Sequence, residues 1–232
     1  VILLYAREHP DEHDSSWVAW GAAEFLLSNH PEARSLRQRC TFLIIPLLDP
    51  DGAVANQYET DVIRSFDDGP ETKESGLVAR RLRWWVDSGN RLDLVFNLHN
   101  VESGEGPHLF PYMDDPDRAP MCEALHKSIT ARASDFDIGG SQDSFGTFST
   151  RLGGWLRLYF GTHMTFYEVN SQAPRRHLSL YELKALGVGI VRGSAAHLHA
   201  AEARDLLREI AGHRRGRYAR WERYGWLPDR QY

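Results

Sequence analysis

Four short apolar runs alternate along the chain with segments whose apolar positions recur at helical spacing. The runs are Val1–Ala6 (VILLYA), Thr41–Leu48 (TFLIIPLL), Leu92–Leu98 (LDLVFNL) and Met164–Val169 (MTFYEV). Each is of strand length and bounded by polar residues, as in strands buried on both faces. Pro46 predicts an end or bulge in the second run, because proline donates nothing to a ladder. The first helix is predicted from a cap at Asp14 or Ser15 to about Leu27, with Trp17, Trp20, Ala23, Leu26 and Leu27 at helical spacing. Amphipathic helices are predicted over Glu71–Val86 and Met121–Ala133. Ser179-Leu-Tyr-Glu182 is a capping box. It opens a helix predicted to run to about Ile210, weakened in its middle by Gly187, Gly189 and Gly193. Asp49–Pro70 and Ser103–Pro120 read as loops, and residues 137–162 carry no assignable pattern.

This alternation predicts an α/β fold: one domain over residues 1–232, with a mostly parallel (mixed), twisted central sheet and helices on both faces. The chain opens on an apolar run with no basic segment before it. The expectation is therefore that upstream strands or an N-terminal domain precede residue 1.

Composition narrows the functional class. At 232 residues, 42% hydrophobic and 25% charged, the chain has the makeup of an ordinary soluble globular protein. A net charge of −5 argues against nucleic acid as the main partner. The basic stretch His213–Arg223 (HRRGRYARWER) reads as a solvated tail with docked aromatics, or else a polyanion contact. No apolar run approaches the ~18 residues of a membrane span, so no membrane partner is expected. Cys40 and Cys122 lack any CxxC pairing and read as buried thiols. A cytoplasmic location is favoured over a secreted one, and the oligomeric state is open.

The candidate chemistry gathers where such sheets place it, beyond the carboxyl ends of the strands. His9 and Glu12 follow the first strand, Asp61 and Arg64 lie after the second, His99 ends the third and Glu168 ends the fourth. Two imidazoles and one carboxylate suit a single Zn²⁺, and three protein ligands leave a fourth position for water. His9-Pro-Asp-Glu12-His13 also matches the inverted zincin pattern H-x-x-E-H. That pattern needs a helix, and Pro10 disfavours helical geometry at His9. Asn100 and His108, close to His99 in sequence, are candidates for substrate contact, with a surface loop the plainer reading of His108. His197 and His199 stand two apart on a helix and do not share a face. Trp17, Trp20, Trp84 and Trp85 read as core and helix-packing residues.

The segments AREHPDEHDSSWVAWG, IIPLLDPDG, DVIRSF, FNLHN and TFYEVN occur in this order between residues 6 and 170. In them the chain resembles the zinc metallocarboxypeptidase family, the carboxypeptidase A-like peptidases, on the side of the branch that includes the cytosolic carboxypeptidases. The resemblance implies that His9, Glu12 and His99 ligate zinc and that Asp61 orients a ligand histidine. It also implies that Arg64 binds a substrate's terminal carboxylate through two parallel donors. Glu168 takes the place of the catalytic glutamate, passing a proton from water to the leaving amine.

Two departures stand out. Ile63 occupies the place of the family's usual Asn, and AVANQYETD after the PDG turn contains no Arg. Gln57, Arg151 or Arg175 are candidate substitutes, and Tyr159 or Tyr167 for the mobile tyrosine of many members. The substrate expected is a peptide or small amide. Cleavage of a C-terminal peptide bond leads. A zinc amidohydrolase acting on N-acyl amino acids or cell-wall peptides, and a non-catalytic zinc-binding module, are the alternatives.

Overall fold

In a computed structural model, the residues described are 1–57, 73–101, 106–113, 119–139, 142–143, 155–156, 160, 162–172 and 176–200. Their strands are β1 (Ile2–Ala6), β2 (Phe42–Ile45), β3 (Leu94–Asn100), β4 (Leu109–Met113), β5 (Gln142–Asp143) and β6 (His163–Val169). Their helices are α1 (His13–Leu27), α2 (Pro31–Arg39), α3 (Pro50–Ala55), α4 (Lys73–Asp87), α5 (Ala119–Thr130) and α6 (Leu180–His199). The sheet order is β2-β1-β3-β6-β4-β5. Strands β2, β1, β3 and β6 run parallel, and β4 joins β6 antiparallel. The mixed α/β sheet expected from the alternation is therefore present.

Both faces are covered because side chains alternate along each strand. Ile2, Leu4 and Ala6 of β1 and Leu94, Phe96 and Leu98 of β3 share one core with Tyr167 and Val169. Helices α1, α5 and α6 close that core with Val18, Leu125, Ile129, Leu186 and Ile190. Leu3, Tyr5, Val95 and Met164 face the other way and pack with Leu82 of α4, Trp155 and Phe160. Each fully buried Leu, Ile or Phe contributes about 1.5–3 kcal/mol, so this two-sided burial makes the four parallel strands a rigid platform. Asn97 and His99 of β3 fall on the second face, which positions the site.

Several boundaries differ from the sequence expectation, for identifiable reasons. Residues 50–55 form α3 rather than loop. Asp49 accepts from the Gly52 amide at 2.9 Å and Pro50 takes the first helical position, so the turn-forming residues here start a helix. Strand β4 lies within the stretch read as loop. Its ladder to β5 takes in only Tyr112 and Met113, and Pro111 lies beyond that ladder's end. Helix α2 was absent from the sequence reading. Trp17, Trp20 and Trp84 are 40%, 50% and 55% exposed, not core. The buried side of α1 is instead built of small residues, including Val18, Ala19, Gly21 and Ala22. Cys122 is buried, Cys40 is half-buried, and neither forms a disulfide among the described residues. Among the described residues no helix is long and apolar enough to cross a membrane. The end of the expected α6 beyond 200 and the basic stretch 213–223 lie outside the described residues.

The glycines of α6 do not break it, because neighbouring helices occupy the space their side chains would take. A Cβ at Gly187 would stand 1.9 Å from the Val18 carbonyl oxygen of α1, and one at Gly193 2.5 Å from Ile129 Cα of α5. Backbone atoms cannot yield as a side-chain tip can. Gly187→Ala is expected to lower unfolding free energy by about 1–3 kcal/mol, measurable by urea titration. An unchanged midpoint would mean α1 and α6 are not packed this closely.

The first core also holds a buried polar cluster. His126 Nδ1 contacts the Tyr167 hydroxyl at 2.6 Å. Burial, aided by the nearby His197, pushes His126 down to about 4. Its ring stays neutral in the fold while the unfolded chain protonates near 6.5. This stabilisation is therefore present above pH 6.5 and is lost as pH falls toward 4. Relative to wild type, His126→Gln is expected to cost about 2 kcal/mol less at pH 5 than at pH 7.5. An equal cost at both values would contradict a neutral buried ring.

Candidate metal centre

The turn after β1 sets the geometry. Arg7 adopts a left-handed φ of 54°, unusual for a residue with a side chain. Its amide donates to Ser15 Oγ (3.2 Å), and its guanidinium Nε and Nη2 donate to the Pro10 carbonyl (3.2 and 2.9 Å). The Glu12 amide donates to the His9 carbonyl at 3.3 Å, and Ser15 Oγ donates to the Glu12 carbonyl at 2.7 Å. These contacts pin residues 7–15 as one turn leading into α1.

Glu12 is the N-cap residue of α1, yet its side chain does not cap the helix. The amide of Ser15 donates instead to Asn100 Oδ1 at 2.8 Å, from the end of β3. Asn100 thus supplies the cap that Glu12 withholds, and the Glu12 carboxylate turns toward the histidines.

Three ligand atoms meet there. His9 Nδ1 lies 2.7 Å from Glu12 Oε1, and His99 Nδ1 lies 3.3 Å from His9 Nδ1. Both Glu12 oxygens flank His99 Nδ1, at 3.0 and 2.9 Å. All three ligand atoms fall within 4.8 Å of one another, a group that can hold a metal ion. Tetrahedral zinc with ligands at ~2.0–2.1 Å separates them by ~3.3 Å, the spacing of the two Nδ1 atoms. His99 is fully buried and stacked on Phe166, with ring centroids 4.0 Å apart. His99 pairs in register with Glu168 on β6. Glu168 Oε2 is buried without a hydrogen-bond partner among the described residues. An orphaned carboxylate oxygen beside a three-atom donor cluster fits a cation and a water better than a packed core.

The electrostatics follow from shared burial. Burial alone would lower His9, but the hydrogen bond and charge of Glu12 outweigh it and the net shift is upward. The same opposition at His99, with Glu12 and Glu8 both acting, lifts it to about 10. Burial would raise Glu12, but its bonds to His9 and His99 hold it below the usual carboxylate range. Glu168 receives no such bond. Burial and the charge of Glu12 push it up to about 7 against the pull of His99 and His9.

The structure therefore brings His9, Glu12 and His99 together, with Glu168 on the adjoining strand. Asp61, Arg64, Tyr159, Arg151 and Arg175 lie outside the described residues. His13 is exposed at the first residue of α1 and stands outside the cluster, so the helical H-x-x-E-H reading does not hold. Gln57 is exposed just after α3. His108 is not a surface-loop residue: it is buried, edge-on to Phe136. Its Nδ1 lies 3.4 Å from the Asp137 amide and its Nε2 3.4 Å from the Arg176 carbonyl. Tyr167 is fully buried in the opposite core and is not a mobile tyrosine. Glu8 was missed. It is 1% exposed, and Asn97 Nδ2 donates to its Oε2 at 3.0 Å.

Comparison with known proteins places these features in context. Residues 1–65 match the family model described as zinc carboxypeptidase. Cytosolic carboxypeptidase 1 of Danio rerio is 56% identical over 58 residues, 25% of this chain and 5% of that protein. Its Mus musculus counterpart is 37% identical over 101 residues, 41% of this chain and 8% of that protein. A metallo-carboxypeptidase from Burkholderia cenocepacia superposes with a TM-score of 0.69 at 20% identity, covering 85% of this chain and 56% of that one. The chain thus spans a small part of the curated relatives and about half of the solved structure. Similarity to zinc carboxypeptidases thus extends over residues 1–65 in sequence, and over most of the chain the likeness to solved carboxypeptidases is one of fold.

Proposed function

We propose that the chain is a zinc-dependent peptidase that hydrolyses a C-terminal peptide bond. One observation carries this: two imidazole Nδ1 atoms and a carboxylate converge from two strand ends, with Glu168 in register beside His99. His9, Glu12 and His99 would hold the zinc. When bound, zinc supplies Lewis acidity toward the scissile carbonyl and acidifies water.

The protein's own groups do the rest. Glu168 takes a proton from the attacking water as its oxygen bonds to the carbonyl carbon. The carbon–nitrogen bond then breaks, and Glu168 returns that proton to the departing amine. The products are a carboxylic acid and an amine. Burial pushes the Glu168 carboxyl upward, the direction a proton-exchanging group needs. Phe166, stacked under His99, keeps that ring oriented. Arg64 is the proposed cation for the substrate's terminal carboxylate, acting without the neighbouring Asn whose place Ile63 takes.

Matched peptides with free and amidated C-termini test the exopeptidase reading. Free acids are expected to be cleaved and amides to react at least about 100-fold more slowly, since a bidentate charge-assisted contact is lost. Equal rates would reject action through the terminal carboxylate and favour an amidohydrolase. Zinc binding without hydrolysis of any member would favour a binding module.

A further inference from the structure

We propose that Glu8 is a positioning residue for His99, holding that ring so that its Nδ1 faces the metal; this rests on the metal-site reading above. Once Nδ1 of an imidazole serves a cation, the proton must reside on Nε2, which then requires an acceptor. His99 is fully buried, so no solvent reaches it. Glu8 Oε2 lies 3.4 Å from His99 Nε2, an ion-pair contact longer than an aligned hydrogen bond. No aligned acceptor for Nε2 exists among the described residues. A buried donor left unmet is costly, so a carboxylate at this place has a clear use.

Glu8 is itself held in place. The same oxygen, Oε2, accepts from Asn97 Nδ2. Asn97 stands two residues before His99 on β3, on the same face. The left-handed turn at Arg7 brings Glu8 off the end of β1 and back over β3. Glu8 and Glu12 therefore grip opposite edges of one ring: Glu12 at Nδ1 and Glu8 at Nε2. Nothing in packing alone explains a carboxylate buried to 1% exposure with its second oxygen, Oε1, unpartnered among the described residues.

The test is zinc affinity of the metal-free chain, measured by competition with a chromophoric chelator, alongside the metal-free melting temperature. Glu8→Ala is expected to weaken zinc 10–100-fold, the usual cost of losing such a support. Glu8→Gln is expected to recover part of this, because its amide oxygen can sit where Oε2 sits and serve both Asn97 and His99. Neither variant is expected to melt below wild type by more than a few degrees. Wild-type zinc affinity in both variants would overturn the proposal while leaving the metal site intact. So would a zinc loss that tracks a fall in melting temperature and that Gln does not relieve. Failure of the wild-type chain to bind zinc would sink the metal-site reading itself and this proposal with it.

Discussion

Glu168→Gln is expected to reduce kcat by roughly 10²–10⁴-fold while leaving zinc affinity close to wild type. The substitution keeps the side chain's volume and the β6 backbone, so the register of Glu168 with His99 is retained. It removes only the capacity to take and return a proton. The environment makes that capacity available: burial and the Glu12 charge raise this carboxyl, whereas Glu12, bonded to both histidines, is held low. Two carboxylates on one floor are thus driven apart, one toward a cation and one toward a proton. Peptide turnover with metal content measured in parallel checks this. Full activity in the variant would remove Glu168 from the chemistry, and loss of zinc would make it a ligand.

The second large effect concerns His99. His99→Gln is expected to weaken zinc by more than about 100-fold, beyond the loss typical of a supporting contact, and to eliminate turnover. Its ring is the element that joins the two halves of the site, since His9 and Glu12 come from one turn and His99 from another strand. Glutamine preserves most of the volume over Phe166, and circular dichroism should show the sheet and helices retained. Unaltered zinc binding would mean that the cluster at His9 and Glu12 holds the ion by other means.

The fold was largely legible because buried parallel strands are continuous apolar runs and amphipathic helices show their period. Where reading failed, one signal stood for two structures. Asp49-Pro-Asp-Gly marks a turn and equally a capped helix start, and the structure takes the latter. Leu109–Met113 lies in a stretch dense in Gly, Pro and Asp that reads as loop, yet it is a strand of the sheet. The tryptophans of α1 suggested a core face, yet the seam with α6 is made by glycine and alanine, because close helix approach excludes large side chains. In the site, the three candidate ligands were visible because each ends or follows a strand. Glu8 was not, since a charged residue beside a histidine usually faces water; only the backbone turn at Arg7 directs it inward. Asn100 likewise revealed its hold on Ser15 only when β3 and α1 were seen side by side.

Zinc K-edge absorption on the stoichiometrically loaded chain reads the metal's ligand set itself. One zinc per chain is expected, with two imidazole nitrogens and one carboxylate oxygen at ~2.0–2.2 Å, and one imidazole fewer in whatever zinc His99→Gln retains. A wild-type chain that takes up no zinc, or a zinc shell unchanged by His99→Gln, would contradict zinc ligation by His9, Glu12 and His99.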